Sequence, residues 1–134
     1  MEFPHINYWA VMVAAVSSFA LGSLWYSPLM FEKPWMKELG FTKEGMKNTS
    51  MLKIFGIAFI LMFIIAFNLA AFIGTESDWK SGMMAGALGG IGWIAAAIGV
   101  NYLFERKSFS LFLINAGYMA VSLIIMGAIL GAWK

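Results

Sequence analysis

Four stretches of about twenty apolar residues, each free of charge in its interior, narrow what this chain can become more than any other feature. They run from about Asn7 to Tyr26, Met51 to Ile73, Trp79 to Asn101 and Phe109 to Trp133. A helix satisfies its backbone hydrogen bonds internally, so it needs no polar outer face in hydrocarbon. Lys53 and Lys80 fall in first turns, where their stems can reach the headgroups. The expected fold is all-α, a bundle of four transmembrane helices forming a single integral membrane domain over residues 1–134. Composition agrees. Charged residues make up 12% of the chain and hydrophobic residues 61%, whereas a soluble domain carries about 25% charged residues to cover its surface. The mean hydropathy is +0.79. The first stretch is expected to be a retained helix rather than a signal peptide. Glu2 is the only charge before it, and its apolar run exceeds an h-region of about 7–15 residues.

The joints carry helix punctuation. Ser50 is a candidate cap for the second helix, Thr75 or Asp78 for the third, and Ser108 or Ser110 for the fourth. The connections at residues 74–78 and 102–108 are short, which makes their helices antiparallel neighbours. The connection over residues 27–50 is longer and contains FEKPWMKELG. Pro34 suits a first turn and Gly40 a C-terminal stop. Phe31, Trp35, Met36 and Leu39 offer an apolar side against Lys33 and Lys37. This segment is expected to be a short helix lying in the interface.

Charge asymmetry orients the spans. Lys33, Lys37, Lys43, Lys47, Lys53, Arg106 and Lys107 flank the first and third connections, with only Lys80 and Lys134 on the other side. The positive-inside rule places the first and third connections in the cytoplasm and both termini outside. In that frame Trp9, Trp79 and Trp133 stand at outer ends and Trp25 at an inner end, as belt residues do.

Small residues recur every four positions: Ala10, Ala14, Ser18 and Gly22; Ala66, Ala70 and Gly74; Gly82, Gly86 and Gly90; Gly127 and Gly131. In lipid, helices associate by close packing, and such ridges allow it. They predict a tight bundle, and the surface left over suits a homo-oligomer, with a dimer favoured.

Several chemistries are excluded. Without cysteine there is no disulfide, thiolate nucleophile or thiolate metal site. His5 and Glu2 are too few ligands for a metal. The net charge of +2, without a basic stripe, argues against nucleic acid. No nucleophile elbow, zinc-binding helix motif or phosphate-cradling loop is present. The glycines of GALGGIG lie within a span and read as packing residues. No cofactor or metal is expected, nor is an enzyme.

Polar residues inside a membrane need partners. Asn68 lies in the outer part of the second span. Asn115, Tyr118 and Ser122 share one face of the fourth. Trp25 and Tyr26 end the first span, Asn101 and Tyr102 the third, and Asn115 and Tyr118 open the fourth, so alternating helix directions bring all six to one leaflet. Two readings stand open. The six converge on a shared site, with Tyr26, Asn101 and Asn115 within a hydrogen bond or a bridging water of one another, or Asn115 is interhelical glue and the aromatics are belt residues facing lipid.

The blocks LGSLWYSPLMFEKPWMKELG, NYLFERKSFSLFLINAGY and LIIMGAILGAW resemble the family known as domain of unknown function 1761, over most of the chain. The resemblance implies a small four-helix protein of the bacterial plasma membrane and no assigned activity. In that family a histidine often follows the last tyrosine of the middle block, and this chain has Met119 there.

The function expected is non-enzymatic: the inner-side cluster binds a lipid headgroup, an amphipathic ligand or a partner helix, with membrane lipids as its surroundings. The alternative is a small homodimeric transporter or channel for a neutral or hydrophobic solute. No span carries the carboxylate that ion-coupled transport normally uses.

Overall fold

The computed structural model describes residues 6–40, 51–74 and 78–133. Candidate caps Ser50 and Thr75, the His5–Glu2 pair, Lys43 and Lys47 lie outside them. The described residues form five helices and no strand: α1 (Tyr8–Trp25), α2 (Glu32–Leu39), α3 (Met51–Ile73), α4 (Trp79–Glu105) and α5 (Phe109–Ala132). α1, α4 and α5, and α3 over Leu52–Ile73, are long and apolar enough to cross a membrane. The all-α four-helix expectation holds, and the short helix between the first two spans is present as α2.

Local chemistry explains the boundaries. α1 starts at Asn7, whose side-chain oxygen accepts from the amides of Trp9 at 3.1 Å and Ala10 at 3.2 Å. Pro34 sits in the first turn of α2, and Gly40 ends it at φ +72°, a left-handed conformation open to a residue without a Cβ. Asp78 caps α4 by accepting from the Ser81 amide at 2.8 Å. That hydrogen bond holds the Asp78 carboxyl below its ordinary pKa of 3.8, so the cap is intact above that value and weakens as pH falls through the depressed one. Ser108 caps α5 through the Leu111 amide at 3.0 Å. Among the described residues Gly74 does not pack against a second helix, as its place in the four-residue ridge suggested. It adopts φ +78° just beyond α3, and a Cβ there would touch nothing within 4 Å.

α5 is the hub, packing against all four other helices. Its Leu123, Met126 and Leu130 meet Ala10, Val11 and Ala14 of α1 and Met62, Ala66 and Leu69 of α3. The closest seam joins α4 to α5. An ideal Cβ on Gly82 would collide with the Gly127 carbonyl and lie 3.2 Å from the Gly131 Cα. One on Gly86 would collide with the Leu123 carbonyl, and one on Gly90 would lie 2.9 Å from the Ala120 Cα. Rising numbers on α4 meet falling numbers on α5, so the pair is antiparallel. Lipid tails are as apolar as leucine, so van der Waals contact of this kind, rather than escape from water, holds such helices together.

α4 departs from the expected helix in two ways. It continues to Glu105, and it contains a π-helical segment at Gly90–Ala95, directly after the glycine ridge.

Candidate functional site

At the end of the bundle where α1 and α4 finish and α5 begins, polar side chains from three helices meet. α1 ends with Trp25 and Tyr26, and the following turn carries α2 across the bundle end onto α5. The Tyr26 hydroxyl donates to Asn115 Oδ1 at 2.7 Å, and Asn115 Nδ2 donates to the Tyr102 hydroxyl at 2.8 Å. One asparagine thus links α1 and α4 through α5.

Aromatic rings enclose the chain of bonds. The Tyr26 ring lies 5.4 Å from that of Tyr118 and 5.3 Å from that of Trp35 on α2, both edge-on. Tyr118 passes across α1 at Gly22 and donates to the Ser18 carbonyl at 2.8 Å. A Cβ on Gly22 would lie 3.2 Å from its hydroxyl, so that glycine keeps the crossing open. One turn along α5 from Tyr118, the Ser122 hydroxyl is buried beside it. Trp25 points inward rather than into a lipid-facing belt. Its indole N–H donates to the Ile114 carbonyl at 2.9 Å, and its ring covers Gly117 and packs 5.0 Å from that of Phe31.

Five of the six residues expected to converge do so: Trp25, Tyr26, Tyr102, Asn115 and Tyr118. Asn101 is the exception. It is exposed, and Tyr102 occupies the position opposite Asn115 where Asn101 was expected. The reason lies in the π segment. Asn101 lies eleven positions beyond Gly90, close to three α-turns of about 3.6 residues. An unbroken helix would therefore carry the ridge face on to Asn101. A π-turn takes in one more residue, so the three turns close at Tyr102.

Trp35 and Gly117 belong to this site and were not anticipated. The signal for Trp35 was present in the apolar side of FEKPWMKELG, whereas nothing local marks Gly117 as the floor under an indole. Met119 is a half-buried residue against the apolar core. Asn68 is exposed on α3 and donates back to the Ile64 carbonyl at 2.8 Å, apart from the cluster. Among the described residues no group of three His, Cys, Asp or Glu is placed to hold a metal ion.

The Tyr26 proton is spent on Asn115 Oδ1 and one Asn115 N–H on the Tyr102 oxygen, so the bonds run in one direction and reach the Tyr102 hydroxyl, which carries a proton of its own to donate. The half-buried site therefore presents a donor beside an aromatic wall.

Neither a curated protein nor a solved structure matches the chain. A family model, that of a protein of unknown function (DUF1761), matches it over residues 9–131, nearly its whole length. The chain belongs to that family.

Proposed function

We propose that this protein is a non-enzymatic membrane binding module that holds an amphipathic ligand, a phospholipid first of all, at the end of the bundle formed by Tyr26, Tyr102 and Asn115. The observation that carries this reading is the directed chain from Tyr26 through Asn115 to Tyr102, which ends in a donor among aromatic rings. A phosphate or ester oxygen is the complementary acceptor, and acyl chains suit the exposed apolar faces alongside. Arg106 and Lys107, just beyond Tyr102, add positive charge at this level.

The test is phospholipid retention. After a delipidating detergent wash, native mass spectrometry of wild-type protein should show one retained phospholipid. Tyr102→Phe, which removes the terminal donor and keeps the ring, should reduce retention by about tenfold or more, the worth of a hydrogen bond to a charged oxygen. Equal retention by both proteins would reject the site.

We further propose that the site faces the cytoplasm, with both termini outside, in the bacterial plasma membrane. The support is the excess of lysine and arginine on the first and third connections. A chain without cysteine makes the measurement direct. Thr42→Cys and Lys107→Cys should react with an impermeant maleimide only after the membrane is opened, and Ser77→Cys in intact cells. Labelling of Thr42→Cys in a substantial share of intact cells would instead mean that the protein inserts in both directions.

The transporter reading is less well supported. α4 and α5 meet backbone to backbone through their glycines, and Asn115 is held between Tyr26 and Tyr102 rather than lining an open path.

A further inference from the structure

α4 is clamped in one half and loosely held in the other. From Gly82 to Gly90 its backbone lies directly on that of α5. Beyond the π segment a Cβ on Gly99 would meet only the Phe112 ring, at 3.2 Å, and Tyr102 reaches Asn115 through one hydrogen bond. Between the halves, Ile91, Gly92 and Trp93 are exposed, and a Cβ on Gly92 would touch nothing within 4 Å. The helix then ends on Arg106 at φ +58°, the one described residue other than glycine in the left-handed region.

A π segment holds one residue more than the α-helix it interrupts. Passage of Gly90–Ala95 into α-helix would turn the far half by about 100° and advance it by about 1.5 Å, one residue's worth. Each residue beyond the segment would then stand where its successor stands now. Ile98 would replace Gly99 against Phe112, and Asn101 would replace Tyr102 opposite Asn115. Both arrangements are chemically complete. Asn101 can bond Asn115 through its amide, and Tyr102, swung outward, keeps its ring in the lipid and its hydroxyl at the headgroups. The connection at Arg106, already in a conformation that costs a residue with a Cβ, takes up the displacement.

We propose that α4 is a two-register helix whose π segment exchanges Tyr102 for Asn101 opposite Asn115, and that this exchange regulates the site. The inference rests on the binding reading above for its consequence but not for its existence. With Tyr102 inward, the chain of bonds is closed and its terminal donor faces a ligand. With Asn101 inward, that donor is withdrawn. A ligand that needs the Tyr102 hydroxyl therefore pulls the helix into the π register, by as much as its affinity differs between the two. The Phe112 ring favours the same register, because it fits over Gly99 and must move aside for Ile98.

Cross-linking in lipid vesicles reads the register directly, again because the chain has no cysteine of its own. Three double variants are compared with a short bis-methanethiosulfonate reagent: Gly99→Cys with Phe112→Cys, Ile98→Cys with Phe112→Cys, and Val100→Cys with Phe112→Cys as the outward-facing control. The Gly99 pair should react fastest. The Ile98 pair should react at about a tenth to a hundredth of that rate, as for a minor state of a few per cent, and well above the Val100 pair. Deleting Ile91 removes the extra residue and keeps the far half in its present register. In that background the Gly99 rate should be preserved and the Ile98 rate should fall to that of the control. An Ile98 rate equal to the Val100 control in the full-length chain overturns the proposal, whether or not the deletion variant folds. Because no added ligand is required, a chain that changes register yet retains no phospholipid would overturn the site and leave the switch standing.

Discussion

Gly86→Leu is expected to lower the stability of the detergent-solubilised protein by about 3 kcal/mol or more, at or beyond the upper end of what overpacking usually costs. Gly86 is buried. Even an alanine Cβ there would fall 2.6 Å from the Leu123 carbonyl carbon and 3.0 Å from the Ile124 Cα. Those atoms are backbone of a second helix and cannot rotate away as a side-chain tip can. Leucine must therefore push α4 from α5, and the neighbouring contacts of Gly82 with Gly127 and of Gly90 with Ala120 open with it. Ile91→Leu introduces the same side chain without adding volume, at a position 58% exposed, and should move stability by less than about 0.5 kcal/mol. Thermal unfolding followed by circular dichroism in one detergent compares the two. If Gly86→Leu melts with wild type, the glycine seam is not what holds these helices.

Asn115→Leu should have the largest effect on the site. The substitution keeps the volume close and removes both bonds at once, to Tyr26 and to Tyr102. Measured hydrogen bonds between membrane helices average about 0.6 kcal/mol, so the fold should lose only about 1 kcal/mol. Phospholipid retention should suffer far more, by well over tenfold, because two tyrosine hydroxyls lose the partner that aims them and each is free to turn to the headgroups. The two readouts separate the proposed site from mere glue. A variant that unfolds more easily yet keeps its phospholipid would make Asn115 a structural link between helices and nothing more. A variant that folds nearly as well as wild type and retains no phospholipid supports the site. Tyr26→Phe should fall between the two, since it removes one bond and leaves Asn115 free to hold Tyr102.

The spacing of charge and apolar residues alone determined that this chain makes four apolar helices with a short fifth between the first two. The physical reason is local: a span follows from the hydropathy of about twenty consecutive residues, and its ends follow from residues such as Asp78, Gly40 and Ser108 that act on the backbone beside them. The sequence also brought the polar and aromatic residues to one end, because alternating helix directions put chain ends at matching levels. What it could not determine is which neighbour on a turn faces inward. That depends on the angular phase of a helix, and one added residue in a π-turn shifts the phase of everything beyond it. Hence only the tertiary structure chose Tyr102 over Asn101, turned Trp25 toward the Ile114 carbonyl, and set Gly74 to end a helix while Gly82, Gly86 and Gly90, which read much the same in sequence, join two. Such choices are made by the partner helix across the gap, and no run of consecutive residues contains it.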